Sequence, residues 1–295
     1  MVRRAVRVLL FAALCLVPVA MYAQGDYLDI FIVRVKPEKI ADFDALAKKI
    51  VDANRHNNGD RWVAQYVMYG ENNTYVFVSM RQDYADIDKG SDAFMNALSK
   101  AYGKDAAEKM TRDWNSCLIS ARSELRKRRK DLSRKFPADM AAYAKLIGTS
   151  RVLRTSAVHI RPGRGPEFEA LLKETQAVAA KAENTQPLLV SQSMEGTSGT
   201  TYYITALRSG LEGFDKNPTT HEILGDEGYK KFLQGVSDTV ESSQSMILHF
   251  APELSNPPEE ILAAAPDFWQ PKPVVAAKAK PKSSGEKAAS EKPKQ

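Results

Sequence analysis

Residues 35–47 read VKPEKIADFDALA, and residues 160–172 read IRPGRGPEFEALL. Laid over each other at an offset of 125, they match at Pro37/Pro162, Phe43/Phe168, Ala45/Ala170 and Leu46/Leu171. Val35/Ile160, Lys36/Arg161 and Asp44/Glu169 are close in kind. Further out, YVFVSMR (75–81) lies over YYITALR (202–208) at an offset of 127, which Gln65/Gln192 share. SCLISARSEL (116–125) then lies over SMILHFAPEL (245–254) at 129. Three matches in one order predict an internal duplication.

Each half reads as strand, helix, two strands, helical region, strand. The first strand is LDIFIVRV (28–35) or TSAVHIR (155–161), stopped by Pro37 or Pro162. The following helix carries Ile40, Phe43, Leu46, Ile50 and Val51 on one face, or Phe168, Leu171, Leu172 and Val178. GENNT and GTSGT supply hairpin chemistry between the second and third strands. The helical regions 91–115 and 218–243 are expected to break at Gly103 and near Gly225. The strands are nearly continuously apolar, so both faces of each sheet are expected to be covered. Helices cover one face and the sheet of the other half covers the second.

This order of elements, used twice over roughly residues 26–255, resembles the dimeric α/β-barrel superfamily, which includes antibiotic-biosynthesis-monooxygenase-like domains. The resemblance implies an α+β fold of two tandem ferredoxin-like βαββαβ units packed sheet to sheet as a pseudo-dimeric α/β barrel. It also implies a small-molecule cavity and a monomer that needs no second copy. The superfamily spans cofactor-free oxygenases, haem-degrading enzymes, isomerases and non-enzymatic proteins, so the fold does not choose the function.

The expected divisions are a leader at 1–23, units at 26–125 and 151–255, a basic linker with a short helix at 126–150, and a Pro/Ala/Lys-rich disordered tail at 256–295. The leader has Arg3, Arg4 and Arg7 before an uncharged apolar run, Val8–Ala23, which is too short to span a bilayer. That is the pattern of a secretory signal peptide, placing the protein in the periplasm or outside the cell. Once Cys15 leaves with it, Cys117 is the single remaining thiol and no internal disulfide can form. The net charge of +6 sits at the ends. Residues 1–23 carry +3 and residues 272–295 carry +5, leaving −2 for 24–271. A near-neutral body gives no support to nucleic-acid binding. The Lys-rich tail could make a weak contact with an anionic envelope surface. Arg126–Lys130, five consecutive basic residues, read as a solvated strand end and linker.

No GxSxG, HExxH, CxxC, phosphate-loop or GxGxxG motif occurs. Candidate site residues therefore come from strand parity. Val33 and Val35, like Val158 and Ile160, should meet the helices, which points Arg34 and His159 inward. Assigning His249 to the interior as well would set the two histidines side by side as candidate acid and base or as anchors for an anion. Tyr75 and Tyr202 are the candidate aromatic lining. Two histidines without a third ligand name no metal, and no cofactor is indicated. Three functions follow: a small-molecule-binding barrel of the cell envelope, a cofactor-independent monooxygenase- or isomerase-like enzyme using a cavity histidine, or an envelope interaction module.

Overall fold

The computed structural model describes residues 25–182 and 186–270. The apolar leader and the chain beyond 270 lie outside the described residues. The strands are β1 (Tyr27–Val35), β2 (Val63–Tyr69), β3 (Thr74–Arg81), β4 (Leu118–Arg128), β5 (Val152–Ile160), β6 (Leu189–Glu195), β7 (Thr201–Arg208) and β8 (Val240–Phe250). The helices are α1 (Ile40–His56), α2 (Ala85–Tyr102), α3 (Lys104–Ser116), α4 (Met140–Thr149), α5 (Gly165–Lys181), α6 (Glu212–Asp215), α7 (Thr220–Thr239), α8 (Glu259–Ala264) and α9 (Pro266–Trp269).

All eight strands form one closed antiparallel barrel in the order β1-β3-β2-β8-β5-β7-β6-β4. The two halves meet edge to edge rather than as two separate sheets laid face to face. Tyr66 pairs with His249 across β2·β8, and Lys127 with Gln192 across β4·β6. A free sheet edge is a row of unpaired N–H and C=O groups, and these two seams leave neither half with one. α1 buries Phe43, Ala47, Ile50 and Val51 against the outside of the barrel, at the spacing of one helical face. α5 does the same with Phe168 and Leu172. Gly103, at φ +84°, separates α2 from α3, and Gly225, at φ +68°, kinks α7.

The repeat needs two corrections. β4 and β8 are each 11 residues long, and each is followed one residue later by a short 3-10 turn, at 130–132 and 252–254. Their offset is thus 122, and Ser120 corresponds to Ser242 rather than to His249. Both sit opposite the equivalent residue of the neighbouring strand, Arg34↔Ser120 and His159↔Ser242, beside a register shift of the same kind. Val63↔Val78 and Leu189↔Thr205 likewise make Ser191, not Gln192, the partner of Gln65.

Two boundaries also move. β4 continues to Arg128, so the basic run begins inside a strand. Residues 256–270 are ordered, because they carry enough apolar surface to stopper one barrel end. Trp62 and Asn256 form a β-bridge, and α8 packs on α4. Tyr143, Ile147, Ile261 and Trp269 join Leu153, Leu207, Leu248 and Phe250 in one cluster. Trp269 is fully buried and its Nε1 donates to the Gly148 carbonyl at 3.0 Å. Gly148 is needed there, since a Cβ would stand 2.6 Å from that of Ala264.

If this stopper holds the barrel end, Trp269→Ala should cost about 3–5 kcal/mol, read from urea unfolding of the whole chain. A loss under about 1 kcal/mol would mean that the ordered tail contributes little.

Candidate functional site

Alternate residues of every strand face the barrel axis. They enclose a cavity of about 580 Å³, within the usual range for small-molecule sites. One end is closed by α4 and α8 and is apolar apart from Arg128, which lies over the Tyr143 ring. The other is polar and lies near the ends of β1 and β5. There Arg34 ion-pairs with Glu71 at 2.7 Å, both substantially exposed, and His159 Nδ1 shares a 2.9 Å hydrogen bond with Thr201 Oγ1.

Of the residues expected in the cavity, Arg34 and His159 line it. His249 does not. It lies on the outer face, where it stacks on Tyr66 at 5.3 Å and its Nδ1–H donates to the Phe250 carbonyl at 2.6 Å. Nor are the two histidines neighbours, because His249 is opposite Val152 at the far end of β5. The physical reason is the stopper. Met246, Leu248 and Phe250 turn inward to meet apolar side chains of α4 and α8, so on β8 the aliphatic face is the inner one. Tyr75 and Tyr202 also point outward. Tyr75 packs on Phe43 at 4.8 Å, and burial, then the nearby Asp44 charge, push its phenol up to about 12. Tyr202 packs on Phe168 at 5.1 Å and donates to Glu169 at 2.6 Å. Burial and the Glu169 carboxylate raise its pKa, while hydrogen bonding from Arg129 holds Glu169 below its ordinary value. These two tyrosines belong to the helix–sheet layer.

The polar centre of the cavity is a group that sequence reasoning missed. Glu124 on β4 is 2% exposed. Its Oε2 accepts from Arg126 Nε at 2.9 Å, Arg126 Nη2 at 2.6 Å and Tyr203 Oη at 2.8 Å. The Arg126 guanidinium lies 3.3 Å from the Tyr203 ring centroid, a close cation–π contact. Burial pushes the Tyr203 phenol up to about 12, so it stays a donor at neutral pH. Glu124 Oε1 is buried without a hydrogen bond, although Arg122 Nη2 approaches to 3.2 Å as an ion pair. The signal was in SARSELRKR (120–128): with the strand carried to 128, period-two alternation puts Arg122, Glu124, Arg126 and Arg128 on one face. Among the described residues no group of three His, Cys, Asp or Glu side chains is placed to hold a metal ion.

No protein-family profile matches the sequence, and no curated protein matches it. Solved structures with a similar chain course include an anthrone oxidase-like protein (TM-score 0.49, 13% identity, covering 78% of this chain and 93% of that one). Another is chlorite dismutase from Candidatus Nitrospira defluvii (TM-score 0.45, 11% identity, covering 85% and 98%). At these scores nothing about activity passes to this chain. Its own strand order and closed barrel carry its resemblance to the dimeric α/β-barrel superfamily.

Removing the charge of Glu124 leaves Arg126 without its counter-ion in a buried setting, and also removes the partner of the exposed Arg122. Glu124→Gln should therefore destabilise the fold by about 3 kcal/mol in chemical denaturation. An unchanged midpoint would show that the cluster is held by solvent instead.

Proposed function

We propose that this chain is a small-molecule-binding barrel built from two tandem ferredoxin-like units that act as a monomer. The observation that carries this reading is the cavity. It is about 580 Å³ in volume, largely apolar, and holds a few fixed polar groups centred on Glu124 and Tyr203. Rigid polar anchors in an apolar enclosure orient a ligand rather than merely admit one. The leader at 1–23 supports export to the periplasm or beyond, and the Lys-rich tail supports a weak contact with an anionic envelope surface.

A second reading is a monooxygenase- or isomerase-like enzyme. Its support is His159, half-buried on the inner wall and oriented by Thr201. In that role the imidazole would take a proton from a ligand held deeper in the barrel. His159→Ala would then end turnover while leaving ligand affinity within a few-fold, whereas turnover that survives the substitution removes the enzyme reading.

Native mass spectrometry of the chain purified from an exporting host tests the first reading. We expect a bound mass on the monomer, and its loss in Ala157→Trp, which fills the cavity between Tyr203 and Gln244. Circular dichroism should be unchanged by the substitution. A bound mass retained by the folded Ala157→Trp chain would place the ligand elsewhere.

A further inference from the structure

The inner faces of β4 and β8 are equivalent in position and opposite in character. β8 presents Met246, Leu248 and Phe250, where β4 presents Glu124, Arg126 and Arg128. Arg122 is 62% exposed and screened by solvent, so the enclosed part of the β4 stripe holds two guanidinium groups, Arg126 and Arg128, against one carboxylate. Arg34 and Glu71 cancel each other at the open end. The stripe is therefore left with surplus positive charge inside a mostly apolar enclosure.

Arg128 is the sharpest part of this imbalance. It is 6% exposed and lines the cavity. Its Nη1 donates to the Gly25 carbonyl at 2.8 Å, and its Nη2 is buried with no hydrogen-bond partner. The guanidinium lies 4.2 Å from the Tyr143 ring centroid and 4.8 Å from that of Phe136. Those rings favour a cation but use none of its N–H groups. Asp26 acts on it only through space and itself faces Lys130 at 3.5 Å. Burial pulls the Arg128 pKa below the ordinary arginine value, and arginine nonetheless stays charged at neutral pH. A buried cation with an idle donor is costly unless an anion completes it.

We propose that the cavity takes an amphipathic organic anion, its acidic head on the buried Arg126 and Arg128 and its apolar body against Leu153, Leu248 and Phe250. This rests on the proposed function in one respect, that the cavity holds a ligand at all. The stopper end supplies the apolar wall, and planar guanidinium forks suit the two oxygens of a carboxylate or sulfonate. A neutral apolar ligand would leave the surplus charge uncompensated.

Two fluorescent probes with the same aromatic framework separate the claims. One is 8-anilinonaphthalene-1-sulfonate, an anion, and the other is N-phenyl-1-naphthylamine, which lacks the sulfonate. Titrated into the full-length chain, the anion should bind at least about tenfold tighter. Arg128→Met should weaken the anion by about tenfold or more and leave the neutral probe within about twofold. Decanoate should displace the bound anion where decanol does not. Equal affinity for both probes, or an Arg128→Met chain that folds and binds the anion as before, overturns the anion assignment while keeping a ligand cavity. Binding of neither probe overturns the cavity reading itself. If Arg128→Met fails to fold, the ratio of the two affinities in the unsubstituted chain still decides.

Discussion

Closure of the two half-sheets on each other is the constraint from which the rest follows. β2 and β4 of the first half would be open edges by themselves, as would β6 and β8 of the second. The β2·β8 and β4·β6 ladders satisfy all four, at the cost of enclosing a space that two layers of facing side chains do not fill. Closure also fixes which side chains face that space, because successive residues of a strand alternate between its faces. Register shifts beside Arg34 and His159 bring these two residues to corresponding places at the open end. The cavity, its polar end and the inward arginines are thus consequences of two sets of backbone hydrogen bonds.

The two ends of the barrel solve different problems. At one, α4 and α8 place Tyr143, Ile147 and Ile261 on the apolar ends of the strands, and Trp269 locks the arrangement from outside. Segments that look in sequence like a linker and a tail therefore form part of the barrel core. At the other, exposed Arg34 and Glu71 keep the rim wet. Between them the halves have diverged where divergence matters most. At Met246, Leu248 and Phe250 the inner face of β8 is hydrocarbon, while the equivalent stretch of β4 is a ladder of charges organised around Glu124. A carboxylate that accepts two bonds from Arg126 and one from Tyr203 is expensive to bury and worth its cost only in a place that must be polar and rigid.

The order of strands and helices, the amphipathic α1 and α5, the breaks at Gly103 and Gly225, and the inward direction of Arg34 and His159 were all legible in the sequence. Each rests on a local signal: a period, a proline or a glycine. What was not legible depended on long-range partners. The rule that aliphatic side chains meet the outer helices holds for Val158 and Ile160, which lie under α5. It fails for Leu248 and Phe250, which meet the stopper inside the barrel, and this failure put His249 on the wrong face. On β7 the alternation that packs Tyr202 under α5 turns its neighbour Tyr203 into the cavity. The arginine stripe was hidden for another reason. A run of five basic residues resembles a solvated linker until the strand is extended through it and alternate members turn inward.

Cross-linking across the β4·β6 seam tests the closed barrel most directly. Lys127 and Gln192 are opposed on its outer side, at a spacing that antiparallel partners share with disulfides. In a chain with Cys15 and Cys117 replaced by alanine, Lys127→Cys together with Gln192→Cys should form an intramolecular disulfide under mild oxidation, seen as loss of both thiols in the monomer. Two thiols that remain free under those conditions would contradict the barrel and with it the cavity on which the functional reading stands.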